Sequence, residues 1–200
     1  MTRLRSMGIP AGPENILTSA ETTIAFLKQH RAGKSVYVVG TPDLIRSFEE
    51  AGIKVEENAP IVVASFDTTL TYDKLEKACR YIREGAEFIS THPDFNCPVE
   101  GGFIPDSGAI CALITASTGK EPRYFGKPYE DTLQIIQEFS GVDRSDMVVV
   151  GDRLYTDIAL GARHGVTSVL VLSGETTLKD LEGSDVQPSV IVENVGKLLQ

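Results

Sequence analysis

The chain has 200 residues, 42% hydrophobic and 24% charged, the make-up of a globular protein with one domain or one domain carrying an insert. Its 19 basic and 28 acidic residues leave a net charge of -9, which argues against a nucleic-acid or membrane surface built on clustered Lys and Arg. Cys79, Cys97 and Cys111 form no Cys-x-x-Cys pair, which disfavours a disulfide scaffold or structural zinc site and fits a reducing, cytoplasmic setting.

No apolar run approaches the ~18–20 residues of a membrane helix, and no signal-peptide core follows Met1-Thr2-Arg3-Leu4-Arg5. In chain order, Thr18-x-x-Glu21 is a capping box that opens a helix carrying Ile24, Ala25 and Leu27. Val36 to Gly40 reads as a buried strand, and Thr41 with Pro42 opens a helix through Leu44, Ile45 and Phe48. Ile61–Ala64 is a second strand. Leu75, Ala78, Cys79 and Ile82 have helical spacing, and Glu87–Thr91 is a third strand. Residues 98–108 are rich in turn formers, and a helix follows through Ile110, Leu113 and Ile114.

The last third is the most regular. A short strand ends at Tyr124-Phe125-Gly126, and Leu133, Ile135, Ile136 and Phe139 mark a helix. Met147–Gly151 is a strand without a polar residue, as expected when both faces are covered. A helix over 158–164, a strand over 168–172, a short helix, a strand at 190–192 and a terminal helix complete the chain. This alternation predicts a parallel, doubly wound α/β sheet, whose working residues sit beyond the carboxyl ends of the strands.

Two segments there carry chemistry. In Val148-Val149-Val150-Gly151-Asp152-Arg153-Leu154-Tyr155-Thr156-Asp157, Asp152 stands at a strand tip and Asp157 at the start of a helix. Two such carboxylates suit magnesium, although acids at a helix N-terminus also serve as plain caps. In Phe125-Gly126-Lys127-Pro128 the lysine is a point charge, suited to a phosphate or a carboxylate nucleophile. His30 and His164 lie near helix C-termini and share no metal spacing, while Cys79 and Cys111 read as core residues.

Gly126-Lys127-Pro128 followed by Val150-Gly151-Asp152 and Thr156-Asp157-Ile158 resembles the third and fourth motifs of haloacid dehalogenase superfamily phosphatases, in the NagD-like p-nitrophenyl phosphatase branch. Ser65-Phe66-Asp67-Thr68-Thr69-Leu70-Thr71-Tyr72, Thr91-His92-Pro93-Asp94 and Ser173-Gly174-Glu175-Thr176 extend the resemblance over essentially the whole chain. It implies an α/β, HAD-like parallel sheet core at 1–60 and 123–200, interrupted by an α/β cap at 61–122. It also implies magnesium-dependent hydrolysis of a small phosphorylated metabolite through an aspartyl-phosphate. Asp152 and Asp157 would then be the metal residues and Lys127 the catalytic cation. The loop holding Asp94, Asn96 and Cys97 would touch the substrate, though a polar turn accounts for those residues as well. Relatives pair through the cap, which makes a homodimer through that domain part of the same expectation.

The family's Asp-x-Asp-Gly-Thr nucleophile motif has no counterpart, since no Asp-x-Asp occurs anywhere in the chain. The nearest echo, Asp67-Thr68-Thr69-Leu70, lacks both the second Asp and the turn Gly. The resemblance therefore implies an N-terminally truncated core lacking its first strand–helix–strand unit, with no nucleophile and an exposed apolar strand edge. A catalytically dead metal- or phosphate-binding module, or one half of a complementing pair, is the alternative.

Overall fold

A computed structural model describes residues 2–199 and divides into two compact units, up to Gly126 and from Lys127 onward. In the first unit α1 (Thr2–Ser6) is followed by α2 (Ser19–His30), β1 (Tyr37–Val39) and α3 (Pro42–Glu50). Next come β2 (Ile61–Ala64), α4 (Tyr72–Arg83), β3 (Glu87–Ser90), β4 (Asn96–Val99), β5 (Gly102–Pro105), α5 (Ser107–Thr118) and β6 (Arg123–Tyr124). The helix starts follow the capping chemistry read from the sequence. Glu21 N donates to Thr18 Oγ1 while Thr18 N donates to Glu21 Oε2, and Leu44 N donates to Thr41 Oγ1.

Strands β1, β2, β3 and β6 form one parallel sheet in that order. Its neighbouring positions Val38, Val63 and Ile89 are buried on one face. On the other, Val39, Val62, Ala64 and Phe88 pack against Ala78 and Ile82 of α4 and Ile110 and Ile114 of α5. Both faces are covered, so these strands need no polar alternation. Val36 also bridges Val55, placing that segment on the free side of β1. The chain thus leaves β1 in one direction and returns to its other side as β2, a reversal that opens a crevice at the carboxyl ends of those two strands.

This topology corrects the expected domain limits. A boundary at 60/61 would fall between β1 and β2, which share one hydrogen-bonded ladder, and β6 completes the same sheet beside β3. Strand–helix alternation runs through residue 60 without a change of composition, so the sequence offers no local mark of where one sheet ends. The turn-rich stretch is also more ordered than expected. It forms an antiparallel hairpin, β4 with β5, that reverses through Glu100 and Gly101, the latter at a φ of 85°.

The second unit holds α6 (Glu130–Ser140), β7 (Val148–Gly151), α7 (Ala159–Arg163), β8 (Thr167–Val171) and β9 (Val190–Val192). Its three strands are parallel in the order β7, β8, β9. Leu133, Leu160 and Val166 form one buried cluster, and Leu154, Ile158, Leu170 and Val186 another. Among the described residues β7 pairs with β8 alone, leaving Val148 57% and Val150 40% exposed. The apolar sequence of β7 predicts two covered faces; the structure gives it an open edge and an exposed face.

Candidate functional site

Lys127, Asp152 and Asp157 all belong to the second unit, and the end of β7 organises them. After Gly151 the chain enters a π-helical turn, Leu154–Ile158, before α7 begins. Such wide turns concentrate at functional sites, and this one buries Asp157 to 7% exposure. Gly151 is required because a Cβ there would lie 2.2 Å from that of Asp157. Asp157 folds back over the strand tip, where its Oδ2 accepts from Arg153 N at 3.2 Å and its Oδ1 from Lys127 Nζ at 2.5 Å.

Both oxygens of Asp157 are thus engaged, and the residue holds Lys127 in place. Half of the Lys127 side chain remains exposed, so its charge still faces outward. Lys127 and Asp157 also line a cavity of about 410 Å³ whose remaining walls include Leu133, Val148, Val150 and Leu160. Here the open face of β7 and the candidate catalytic cation share one surface.

Asp152 is held differently. Its Oδ2 accepts from Glu175 N at 2.9 Å and its backbone carbonyl from Thr176 N at 3.1 Å. Gly174 permits this closeness, since a Cβ there would fall 2.1 Å from Asp152 Oδ2. Arg153 closes the same corner through a 2.8 Å ion pair with Glu175. Oδ1 of Asp152 has no recorded partner among the described residues, so one hard oxygen is left for a cation. The donor set fits magnesium, which takes one or two carboxylates and fills the rest of its shell with water and phosphate oxygens. Among the described residues neither Asp152 nor Asp157 belongs to a cluster of three or more His, Cys or carboxylate groups. The resemblance of Ser173-Gly174-Glu175-Thr176 to a family segment does not by itself reveal that Gly174 and Glu175 hold Asp152.

The substrate-loop candidates lie in the first unit. Asp94 follows β3, while Asn96 and Cys97 lie on β4 of the hairpin. The loop is anchored by His92, whose Nε2 lies 2.7 Å from Asp106 Oδ1 and whose Nδ1 lies 2.8 Å from Thr91 Oγ1. Thr91 Oγ1 in turn lies 2.8 Å from Ser65 Oγ. An Nε2–H donating to Asp106 and an Nδ1 accepting from Thr91 satisfies both nitrogens. Asp106 also caps α5, accepting from Ser107 N. Sequence reasoning passed over Asp106 because a lone Asp before a helix has the signature of any N-cap.

Asp67 sits at the β1/β2 crevice with its side chain fully buried. Lys74 Nζ donates to Asp67 Oδ2 at 2.7 Å, to Gly40 O and to Thr69 Oγ1. Through Lys74 its carboxylate is tied to the end of β1 at Gly40.

The pattern of the HAD-hydrolase-like family matches residues 124–198, and that of the haloacid dehalogenase-like hydrolases matches residues 1–54. The acid sugar phosphatase of Staphylococcus haemolyticus (strain JCSC1435) is 38% identical over 189 residues, spanning 94% of this chain and 72% of the relative. That of Staphylococcus aureus (strain MRSA252) is 37% identical over 199 residues, spanning 98% of this chain and 77% of the relative. The chain belongs to the haloacid dehalogenase-like hydrolases. Solved structures of the family agree. The 4-nitrophenylphosphatase of Thermotoga maritima superposes with a TM-score of 0.94 at 43% identity, covering 98% of this chain and 76% of its own. NagD from E. coli K-12 gives 0.90 at 33% identity, covering 98% and 77%. The α/β fold with a parallel sheet expected from the haloacid dehalogenase motifs is therefore the fold found.

Proposed function

We propose that this chain carries the metal- and phosphate-binding half of a magnesium-dependent phosphatase acting on small phosphate monoesters. The observation that carries the reading is the strand-tip constellation of Lys127 clamped by Asp157, beside Asp152 with one carboxylate oxygen free. The phosphatase names of its relatives support the same reaction class.

Lys127 Nζ holds positive charge where a phosphoryl oxygen or an attacking carboxylate would otherwise be repelled. Asp157, itself buried and held by Arg153 N, fixes the direction of that ammonium. Asp152 offers Oδ1 as the anchoring ligand for the ion, oriented by Glu175 N on its other oxygen. Magnesium, when bound, neutralises charge on the phosphoryl oxygens.

The 200 residues hold no Asp-x-Asp pair, and Asp67 is committed to Lys74. Binding without turnover is therefore the behaviour expected of this chain. The test is hydrolysis of p-nitrophenyl phosphate by the purified protein with magnesium, alongside magnesium titration of wild type and Asp152→Asn. Saturable magnesium binding that Asp152→Asn abolishes, with no turnover, supports the proposal. Turnover that survives Asp67→Asn, or magnesium binding indifferent to residue 152, overturns it.

A further inference from the structure

The first unit contains a second cavity, of about 300 Å³, at the amino ends of its strands. Position follows from two contacts: Arg31 pairs with Glu87, the first residue of β3, and Val36 N donates to Lys54 O just before β1. This is the opposite end of the sheet from Asp67, His92 and Asp94, so the cavity belongs to none of the chemistry above. Its walls come from the last turn of α2, the loop entering β1 and the segment after α3.

Four of the cavity's lining side chains are cationic: Lys28, Arg31, Lys34 and Lys54. That is a local reversal in a chain with a net charge of -9. Two of the four are matched, Arg31 by both oxygens of Glu87 at 2.7 and 2.9 Å and Lys54 by Glu56 at 2.5 Å. For Lys28 and Lys34 no acidic partner is recorded among the described residues. The C-terminal carbonyls of α2 favour nearby cations, which explains one or two basic residues in its last turn. They do not explain Lys34 and Lys54, which lie on other segments and face the same hollow. A concave, low-dielectric wall concentrates the field of charges placed around it. Gly33 and Gly52, at φ of 75° and 81°, border the cavity with open space where a side chain would stand, so its mouth is unobstructed.

We propose that this cavity binds a small polyanion carrying two or more phosphoryl groups, with Lys28 and Lys34 as its principal contacts. Lysine suits the task as a compact point charge on a flexible stem, able to meet phosphoryl oxygens without a fixed geometry. The volume lies at the small end of ligand sites, which matches a compact anion better than an extended one. Lys127, Asp152 and Asp157 take no part, so the proposal stands or falls independently of the phosphatase reading.

Inorganic pyrophosphate is the probe, titrated without magnesium and followed by calorimetry and amide NMR. The expected result is one saturable site, with shifts concentrated at Gly33, Lys34, Gly52, Ile53 and Lys54. Affinity should fall at least about tenfold in Lys28→Gln/Lys34→Gln, the loss of roughly 1.4 kcal/mol or more, and should weaken as salt is added. Both lysines are exposed, so the double variant should keep the wild-type unfolding midpoint. No saturable binding, or binding unchanged in the double variant, overturns the proposal.

Discussion

Gly174→Ala should reverse the sign usually expected of a glycine-to-alanine change. Gly174 does not occupy the left-handed region, so alanine is permitted by its backbone and would stabilise by about 0.4–1 kcal/mol through the unfolded state alone. The structure predicts the opposite. An added Cβ would lie 2.1 Å from Asp152 Oδ2, 2.4 Å from its Cβ and 2.5 Å from its Cγ. Because the Cβ of Asp152 is part of the clash, rotating its carboxylate cannot relieve it, and the backbone at 152 or 174 must move. That movement costs about 1–3 kcal/mol as overpacking and weakens the bond from Glu175 N. Relaxation of the exposed 173–175 loop and the unfolded-state gain recover part, leaving a net loss of about 1 kcal/mol. Urea unfolding followed by circular dichroism measures it, with Asp152→Gly as the background that removes the clashing side chain. In that background the same substitution should become neutral or stabilising. A stabilised Gly174→Ala in the wild-type background would refute the close packing of Asp152 on which the metal-site argument depends.

Lys127→Ala and Asp157→Ala should differ although they break the same ion pair. The half-exposed lysine is screened, so its loss costs about 1 kcal/mol. Asp157 is buried and also serves Arg153 N, so its removal costs about 2–3 kcal/mol; urea midpoints in the reverse order would count against the clamp. Burial pushes the Cys111 thiol from 9.0 up to about 11. The folded state favours the neutral thiol, so its contribution is complete below pH 9.0 and is lost as pH rises toward about 11. That amounts to about 2–3 kcal/mol, and the stability of wild type should fall more steeply over this window than that of Cys111→Ala. Parallel curves would place Cys111 outside the core.

Local features were legible in the sequence because they are set by residues close together in the chain. The Thr18–Glu21 capping box, the Thr41 cap and the apolar runs of β1 to β3 all form where they are read, since backbone satisfaction and side-chain periodicity need no distant partner. Gly126-Lys127-Pro128 and Gly151-Asp152 were equally plain, because their chemistry follows from residue type at a strand end.

What the tertiary structure alone decided is which strands share a sheet and which side chains meet. Nothing near residue 60 announces that β1 and β2 pair, or that the chain reverses around β1 through Val55. The same holds for Lys127 reaching Asp157, Gly174 yielding space to Asp152, and His92 closing on Asp106. Each of these contacts joins residues from different elements, and their separation is fixed by sheet order rather than by local sequence. The motifs fixed the family; the packing assigned Asp157 to Lys127, left Oδ1 of Asp152 free and drew four cations around a hollow in an acidic chain.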